Sequence, residues 1–499
     1  MRHNAYSLPL LSGIRQRRIA EASRSRTHAR TLGTKDGSAS KWLAPVQDFY
    51  FLIQYNPSEK SSAWKTFAIL RYAIFISFFA ASLLFLDLGG DGSNAVIQPD
   101  NGGVNDHIGF LVSFCALLFG SFYISQAVEA CSDNFGPAIG GIISAFGGNV
   151  VEIIVGAFLL SKGQVSLVQT SLIGSMLSNL LLLLGICYMV TGYYFKKHNP
   201  KHTSEDAVSF DGAQTYKFIA ALLISTMCLV IPMALATATG PDGKLIDAAD
   251  VVPFSRIVSV ILLVCYFIRV GWEIAGGEGA SEDGAEEDEE DSTHAEKTPE
   301  LKASKIGGIL AVCINGALIC GLTSEVLTDK LALMCGEGSS SSFPPAFIGM
   351  ILLPIVGNFC EHFSAIVQAK HAGASSDPNK RRNKASAMQA VAVESAVNIS
   401  MCVIPLMVII GWIIGREDTQ MTLEFGIVST ITLFMCVFIV CAVLNLQKID
   451  PQIGFMFFVG YIIVAVTYWY HVEPSGDAGS VFPSPDAPSG GIVPAPHLF

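Results

Sequence analysis

Residues Leu353–Val367 read LPIVGNFCEHFSAIV. The stretch is apolar enough to lie in a bilayer. Yet Asn358, Glu361 and His362 sit together in it, behind Pro354 and Gly357. A charged side chain at the centre of a membrane helix costs about 2.5–3.5 kcal/mol on insertion scales. A carboxylate there must therefore face the protein interior, a water-filled cavity or a cation. A second stretch, Gly147–Phe158, reads GGNVVEIIVGAF and repeats the pattern Gly-Asn-x-x-Glu, with Gly148, Asn149 and Glu152 answering Gly357, Asn358 and Glu361. The apolar segments before the two motifs end alike, in QAVEACSD with Glu129 and in LTSEVLTD with Glu325. Those that follow both open on glutamine, QTSLIGSMLSN at Gln169 and QAVAVESAVN at Gln389.

The surrounding chain explains how such segments are housed. It has 499 residues, 51% hydrophobic and 15% charged, against about 25% charged in soluble domains. A membrane helix needs roughly 20 apolar residues. Eleven candidate spans follow: 67–87, 108–128, 136–160, 170–194, 218–239, 254–275, 306–328, 345–369, 388–414, 423–446 and 452–470. The runs are too long for barrel strands and lack period-two alternation. The expectation is an all-α polytopic membrane protein with the lipid bilayer as its partner and no nucleic-acid role. The 12 cysteines are scattered through apolar runs without a CxxC pair, which argues against a disulfide framework or structural zinc.

Lysine and arginine set the topology. The segment 1–65 is rich in Arg, the loop 195–216 carries Lys196, Lys197 and Lys201, and the loop 370–387 carries Lys370, Lys380, Arg381, Arg382 and Lys384. With eleven spans these fall on one side, so the N-terminus is expected in the cytosol and the C-terminus in a lumen. The expected divisions are a basic tail 1–66, an accessory helix 67–87, a first unit 108–275, an acidic linker 276–305, a second unit 306–470 and a disordered lumenal tail 471–499. Residues 1–45 have the composition of a regulatory tail and of a transit peptide alike. The acidic run in 278–300 reads either as a solvated linker or as a segment that attracts cations to a pore mouth.

Spans two to six pair with spans seven to eleven through the shared motif. Five helices per unit is an odd number, so the second copy enters the membrane from the opposite side. Inverted repeats are a transporter architecture with binding at the midplane. In Gly-Asn-x-x-Glu the Asn and Glu share a helix face, and the glycine lets the helix loosen and free carbonyls. Two inverted copies then oppose two carboxylates, two amides and several carbonyls, a hard-oxygen set suited to Ca²⁺. A single intramembrane Asn or Glu is commonly a structural hydrogen bond; the duplication in matching places favours a site. His362 has three readings: tuning Glu361, relaying protons or capping a polar network. Pro354 and Pro405 read as kinks, and Pro232 as a bend.

GNVVE and GNFCEH, with SLIGSMLSNLLLLLG, TSEVLTD, LPIVGN and IPLMVIIGWIIG, resemble the cation/proton exchangers of the Ca²⁺/H⁺ antiporter type, within the cation/Ca²⁺ exchanger superfamily, over about residues 108–470. The resemblance implies a Na⁺/Ca²⁺-exchanger-like fold of an accessory helix and two inverted five-helix repeats. It implies that Glu152 and Glu361 bind the cation and exchange protons for it, with Gly148, Asn149, Gly357, Asn358 and His362 around them. Ser175, Ser178, Asn179, Gln389, Ser395 and Asn398 would line the path, and Glu129 and Glu325 would be vestibule acids. It also implies a vacuolar or other acidic-store membrane. One position departs from the pattern: Glu394 stands where the first half has Gly174. It either pairs with a polar neighbour or adds a third carboxylate to the site. Phe359 and Cys360 also replace smaller residues. Both departures bear on whether the cation is Ca²⁺, Mn²⁺, Na⁺ or K⁺.

The mechanism expected is alternating access, with cation and protons competing for the same carboxylates. No GxxxxGK[ST] pattern occurs, which argues against an ATP-driven pump. A channel would also use carboxylates, but two inverted halves do not make a ring. There is no HExxH for a hydrolase, so no enzyme and no cofactor is expected beyond transported cation and H⁺; a homo-oligomer stays open.

Overall fold

The structure is a computed structural model that describes residues 76–86, 96–97, 99–100, 103–134, 147–199, 208–238, 248–275, 303–335, 343–416 and 419–470. The basic tail, most of the acidic linker, the tail 471–499 and most of the accessory span lie outside these residues; of that span, residues 76–83 are helical. Ten helices follow among the described residues: α1 Val104–Asn134, α2 Val150–Ser161, α3 Val165–His198, α4 Gly212–Ala236, α5 Ala248–Ala275, α6 Ala303–Cys335, α7 Pro345–Ala374, α8 Pro378–Ile414, α9 Ile427–Leu444 and α10 Pro451–Tyr470. Eight of them carry a stretch long and apolar enough to cross a bilayer. The β-pairing among the described residues is one bridge, between Ser209 and Lys448.

Contacts at the helix ends define two faces. At one, Thr191 of α3 donates to the Ala369 carbonyl of α7 at 3.2 Å, Ile449 donates to the Val208 carbonyl at 2.8 Å, and Asp211 donates to Ser386 at 2.8 Å. At the other, Lys162 pairs with Glu325 at 2.9 Å and Asp329 at 2.7 Å, and Gln169 donates to the carbonyls of Thr422 and Glu424. A buried ion pair, Lys330 to Asp106 at 3.0 Å, ties α6 to α1 near that second face. Helix α2 therefore ends at the second face, where α7 begins, and α3 ends at the first, where α8 begins. Each helix of the first five runs opposite to its counterpart in the second five.

Burial follows the same plan. Helices α3 and α8 are the most enclosed, and α5 and α10 among the least. The latter expose Ile261, Phe267, Phe455 and Ile463 outward, as lipid-facing helices do.

Three helices contain a π-helical stretch: Ser178–Leu183 in α3, Ile348–Leu352 in α7 and Ile399–Val403 in α8. The stretches in α3 and α8 fall at corresponding places when Gln169 is aligned with Gln389. Two have a visible cause. A proline ring clashes with the carbonyl four residues back. For Pro354 and Pro405 those residues are Met350 and Met401, and both lie in the widened turn. The kinks expected at these prolines are thus local changes of helix pitch.

Several expected boundaries are corrected. The loop expected at 370–387 shrinks to residues 375–377, because α7 runs on to Ala374 and α8 starts at Pro378. Asp377 caps α8, accepting from the Asn379 N–H at 2.9 Å, with Pro378 in the first turn. The basic residues of that segment are helical; Lys370, Lys380, Arg382 and Lys384 are exposed, while Arg381 is buried against Phe195 and donates to the Ser375 carbonyl. The helices expected at 306–328 and 170–194 also lengthen, to Ala303–Cys335 and Val165–His198. The span expected at 136–160 is not one unbroken helix: Gly148 and Asn149 form a turn before α2. Its earlier part lies outside the described residues.

Candidate functional site

The two motifs meet between α2 and α7. Asn149 is the N-cap of α2, at φ −105° and ψ 11°, and Glu152 lies in the first turn. Asn149 is therefore not on the same helical face as Glu152, as the spacing led one to expect; the break at Gly148 puts it before the helix. In α7 the backbone stays helical through Gly357, Asn358 and Glu361. The contact between the motifs is reciprocal. A Cβ at Gly148 would meet Glu361 Oε1 at 2.6 Å, and one at Gly357 would overlap Glu152 Cγ and approach its Oε1 at 2.9 Å. Each glutamate thus occupies the space that the other motif's glycine leaves. Such i-to-j and j-to-i pairing is the mark of a twofold relation.

A polar network fixes one side of the pair. Asn179 of α3 donates to Asn358 Oδ1 at 3.1 Å and to Ser395 Oγ at 2.9 Å. Asn358 in turn donates to the Pro354 carbonyl at 3.1 Å. With its amide nitrogen so used, Asn179 offers Oδ1 as an acceptor, so the His362 Nε2 that lies 3.0 Å away is the donor. Ser175 and Asn358 stand beside the Glu152 carboxylate, and Ser395 stands beside that of Glu361.

The remaining oxygens are buried without hydrogen-bond partners among the described residues: both of Glu152, Oε2 of Glu361, Oδ1 of Asn149 and Oγ of Ser178. Buried polar atoms are ordinarily satisfied. A narrow cavity lined by Glu152, Ser171, Ser175, Leu327 and Gly357 opens beside the Glu152 carboxylate, with room for one or two water-sized particles. Two carboxylates with amide and hydroxyl oxygens can hold a hard cation or, in its place, protons.

Other expected residues lie outside this cluster. Gln389 donates to Thr215 of α4 at 3.0 Å, as Gln169 on the other half holds the entry to α9. Glu325 pairs with Lys162 near the second face. Glu129 lies in α1, but its side chain is outside the described ones. Asn398 accepts from Arg269 Nη2 at 3.2 Å, and Glu394 has the same guanidinium at 3.6 Å. Arg269 was not among the expected site residues. The signal was available, since a charged residue inside an apolar span is a functional pointer by itself.

Known proteins resemble this chain in sequence and fold. The model of the sodium/calcium exchanger protein family matches residues 107–274 and 309–470. A vacuolar cation/proton exchanger 3 of Oryza sativa subsp. japonica is 32% identical over 353 residues, covering 70% of this chain and 77% of the relative. A vacuolar calcium ion transporter of Schizosaccharomyces pombe is 27% identical over 364 residues, covering 73% and 79%. The solved structure of native YfkE superposes with a TM-score of 0.58 at 21% identity, covering 80% of this chain and 99% of that one. The chain therefore belongs to the sodium/calcium exchanger protein family, as a member of its cation/proton exchanger group.

Proposed function

We propose that the protein is a secondary antiporter that exchanges protons for Ca²⁺ across a vacuolar-type membrane. The observation that carries this reading is the reciprocal fit of Glu152 against Gly357 and Glu361 against Gly148, which brings together two carboxylates with buried oxygens that have no hydrogen-bond partner among the described residues. The relatives named for vacuolar cation/proton exchange and vacuolar calcium transport support it. The full architecture is eleven spans, an accessory helix and two inverted repeats, with the units 108–275 and 306–470. Lys196, Lys197, Lys370 and Lys384 mark the cytosolic face, which gives a cytosolic N-terminus and a lumenal C-terminus.

The cycle uses competition at the carboxylates. Facing the cytosol, where protons are scarce, Glu152 and Glu361 lose them and take Ca²⁺, with Asn149, Ser175 and backbone carbonyls completing the shell. Facing the acidic lumen, protons displace the ion. Neutral or filled, the pair is compatible with a closed, dehydrated site; ionised and empty, it is not. His362 positions Asn179, and through it Asn358 and Ser395.

The test is uptake of labelled Ca²⁺ into vesicles under an imposed pH gradient. Wild type accumulates the ion, and collapsing the gradient stops it. Glu152→Gln and Glu361→Gln each lower uptake by at least about 100-fold, as expected when a buried charge partner is lost (about 3–5 kcal/mol). Full uptake by either variant would sink the mechanism. Competition by Mn²⁺, Na⁺ and K⁺ in the same assay identifies the preferred ion.

A further inference from the structure

We propose that Arg269 is a specificity-determining positioning residue: a tethered counter-cation for Glu394, so that the site meets its substrate with the charge of two carboxylates and not three. This rests on the antiport reading and deepens it.

Arg269 belongs to α5, and its side chain is 16% exposed. Its Nη1 bonds Glu273 Oε1, four residues on, at 2.5 Å. That bond holds the guanidinium where Nη2 reaches Asn398 Oδ1 at 3.2 Å and Glu394 Oε1 at 3.6 Å. The Tyr266 ring, 5.9 Å from the guanidinium carbon, closes the same side. Glu394 is next in sequence to Ser395, which accepts from Asn179 and stands beside Glu361. Glu394 is also close enough to Glu361 to act on it electrostatically. Glu273 lies a helical turn farther toward the first face, so Glu394 is the Arg269 partner that bears on the site.

The first half shows what the site looks like without the acid. Gly174 stands at the corresponding position, and a Cβ there would overlap the Met350 carbonyl and press on Pro354. Helix α7 fills the space that Glu394 occupies in the other half. Helix α10, the counterpart of α5, has no Lys or Arg from Pro451 to Tyr470. The acid and its arginine are therefore present together in one half and absent together in the other. That co-occurrence is the signature of a compensated pair, since an acid with no counter-charge would strengthen cation binding and slow release.

The experiment measures proton-driven Ca²⁺ uptake into vesicles for Arg269→Gln, Glu394→Gln, the double variant and Arg269→Lys. Glu394→Gln removes the acid next to the site and leaves Arg269 held by Glu273, and it is expected to raise half-saturating Ca²⁺ about tenfold. Arg269→Gln uncovers the acid and is expected to lower it by about as much, with reduced maximal rate and weaker discrimination between Ca²⁺ and Na⁺. The double variant returns to within about threefold of wild type because the two opposite shifts cancel, whereas structural damage at one residue would not be undone by the second substitution. Arg269→Lys stays near wild type. Shifts of the two singles in the same direction, or a double variant farther than about threefold from wild type, would overturn the proposal. If Arg269→Gln does not reach the membrane, Glu394→Gln against the double variant decides it: a double no nearer wild type than Glu394→Gln alone overturns it. Absence of proton-driven uptake by the wild type would overturn the antiport reading instead, and Ca²⁺ binding to the purified variants then decides the role of Arg269 by the same pattern.

Discussion

The two halves of the molecule carry one five-residue pattern on two different backbones. Helix α2 starts afresh after the turn at Gly148–Asn149, and Glu152 lies in its first turn, where unpaired N–H groups favour an acidic side chain. Helix α7 runs through its motif without a break, and Glu361 sits in mid-helix. The amides differ likewise. Asn358 is tied into the network by Asn179 and the Pro354 carbonyl, while Asn149 Oδ1 has no partner among the described residues. Repetition of a motif gives two carboxylates in one place, but it does not make them equivalent.

The glycines test that inequality most sharply. Alanine at Gly357 would collide with Glu152 Cγ, midway along the side chain, whereas alanine at Gly148 would meet only the terminal oxygen of Glu361. Gly357→Ala is expected to cut proton-driven uptake by about 100-fold and Gly148→Ala by about tenfold, on the scale of overpacking costs of about 1–3 kcal/mol. Equal losses would break the comparison. The next helices offer a second contrast. Gly174→Ala drives a methyl into the Met350 carbonyl, so the melting temperature of detergent-purified protein should fall, by about 1–3 kcal/mol in free energy. Glu394→Ala, at the matching position, should leave melting within about 1 kcal/mol of wild type.

Smaller effects follow at the amides. Asn358→Ala removes two hydrogen bonds of a buried network and should lower stability by about 1–3 kcal/mol along with transport. Asn149→Ala should weaken apparent cation affinity and leave melting unchanged. Smallest of all, His362→Gln keeps a donor toward Asn179 and should retain uptake within about threefold, while His362→Leu should lose more. Identical behaviour of the two His362 variants would remove the histidine from the network argument.

Which of these features could be read in advance depends on where their cause lies. Apolar runs and the repeated Gly-Asn-x-x-Glu carried the helices and the pairing of Glu152 with Glu361, because both are written in side-chain chemistry. Helix ends were legible only where a cap spells them: Asp377-Pro378 announces the start of α8, yet the basic residues after it suggested a loop. The π-helical stretches divide the same way. Pro354 and Pro405 betray two of them, whereas the one at Ser178–Leu183 has no such residue and is a backbone register that composition does not record. Arg269 was hidden by averaging, since one arginine scarcely lowers the hydropathy of Val251–Glu273. The partner that explains Glu394 lies 125 residues earlier in the chain, and only the folded packing of α5 on α8 brings them together.

The reciprocal seating of each glutamate on the opposite glycine has a consequence for the economy of the cell. Two ionised carboxylates buried there without a cation or protons form a state of high energy. A carrier in that state is reluctant to swing from one face to the other. The barrier falls only on empty crossings, so the fit of Glu152 to Gly357 and of Glu361 to Gly148 suppresses slip. A stored gradient is then not dissipated by idle turnover. An exchanger resident in a membrane that must stay acidic for hours gains from tight packing as a seal against leakage, as well as from the ligands that packing brings together.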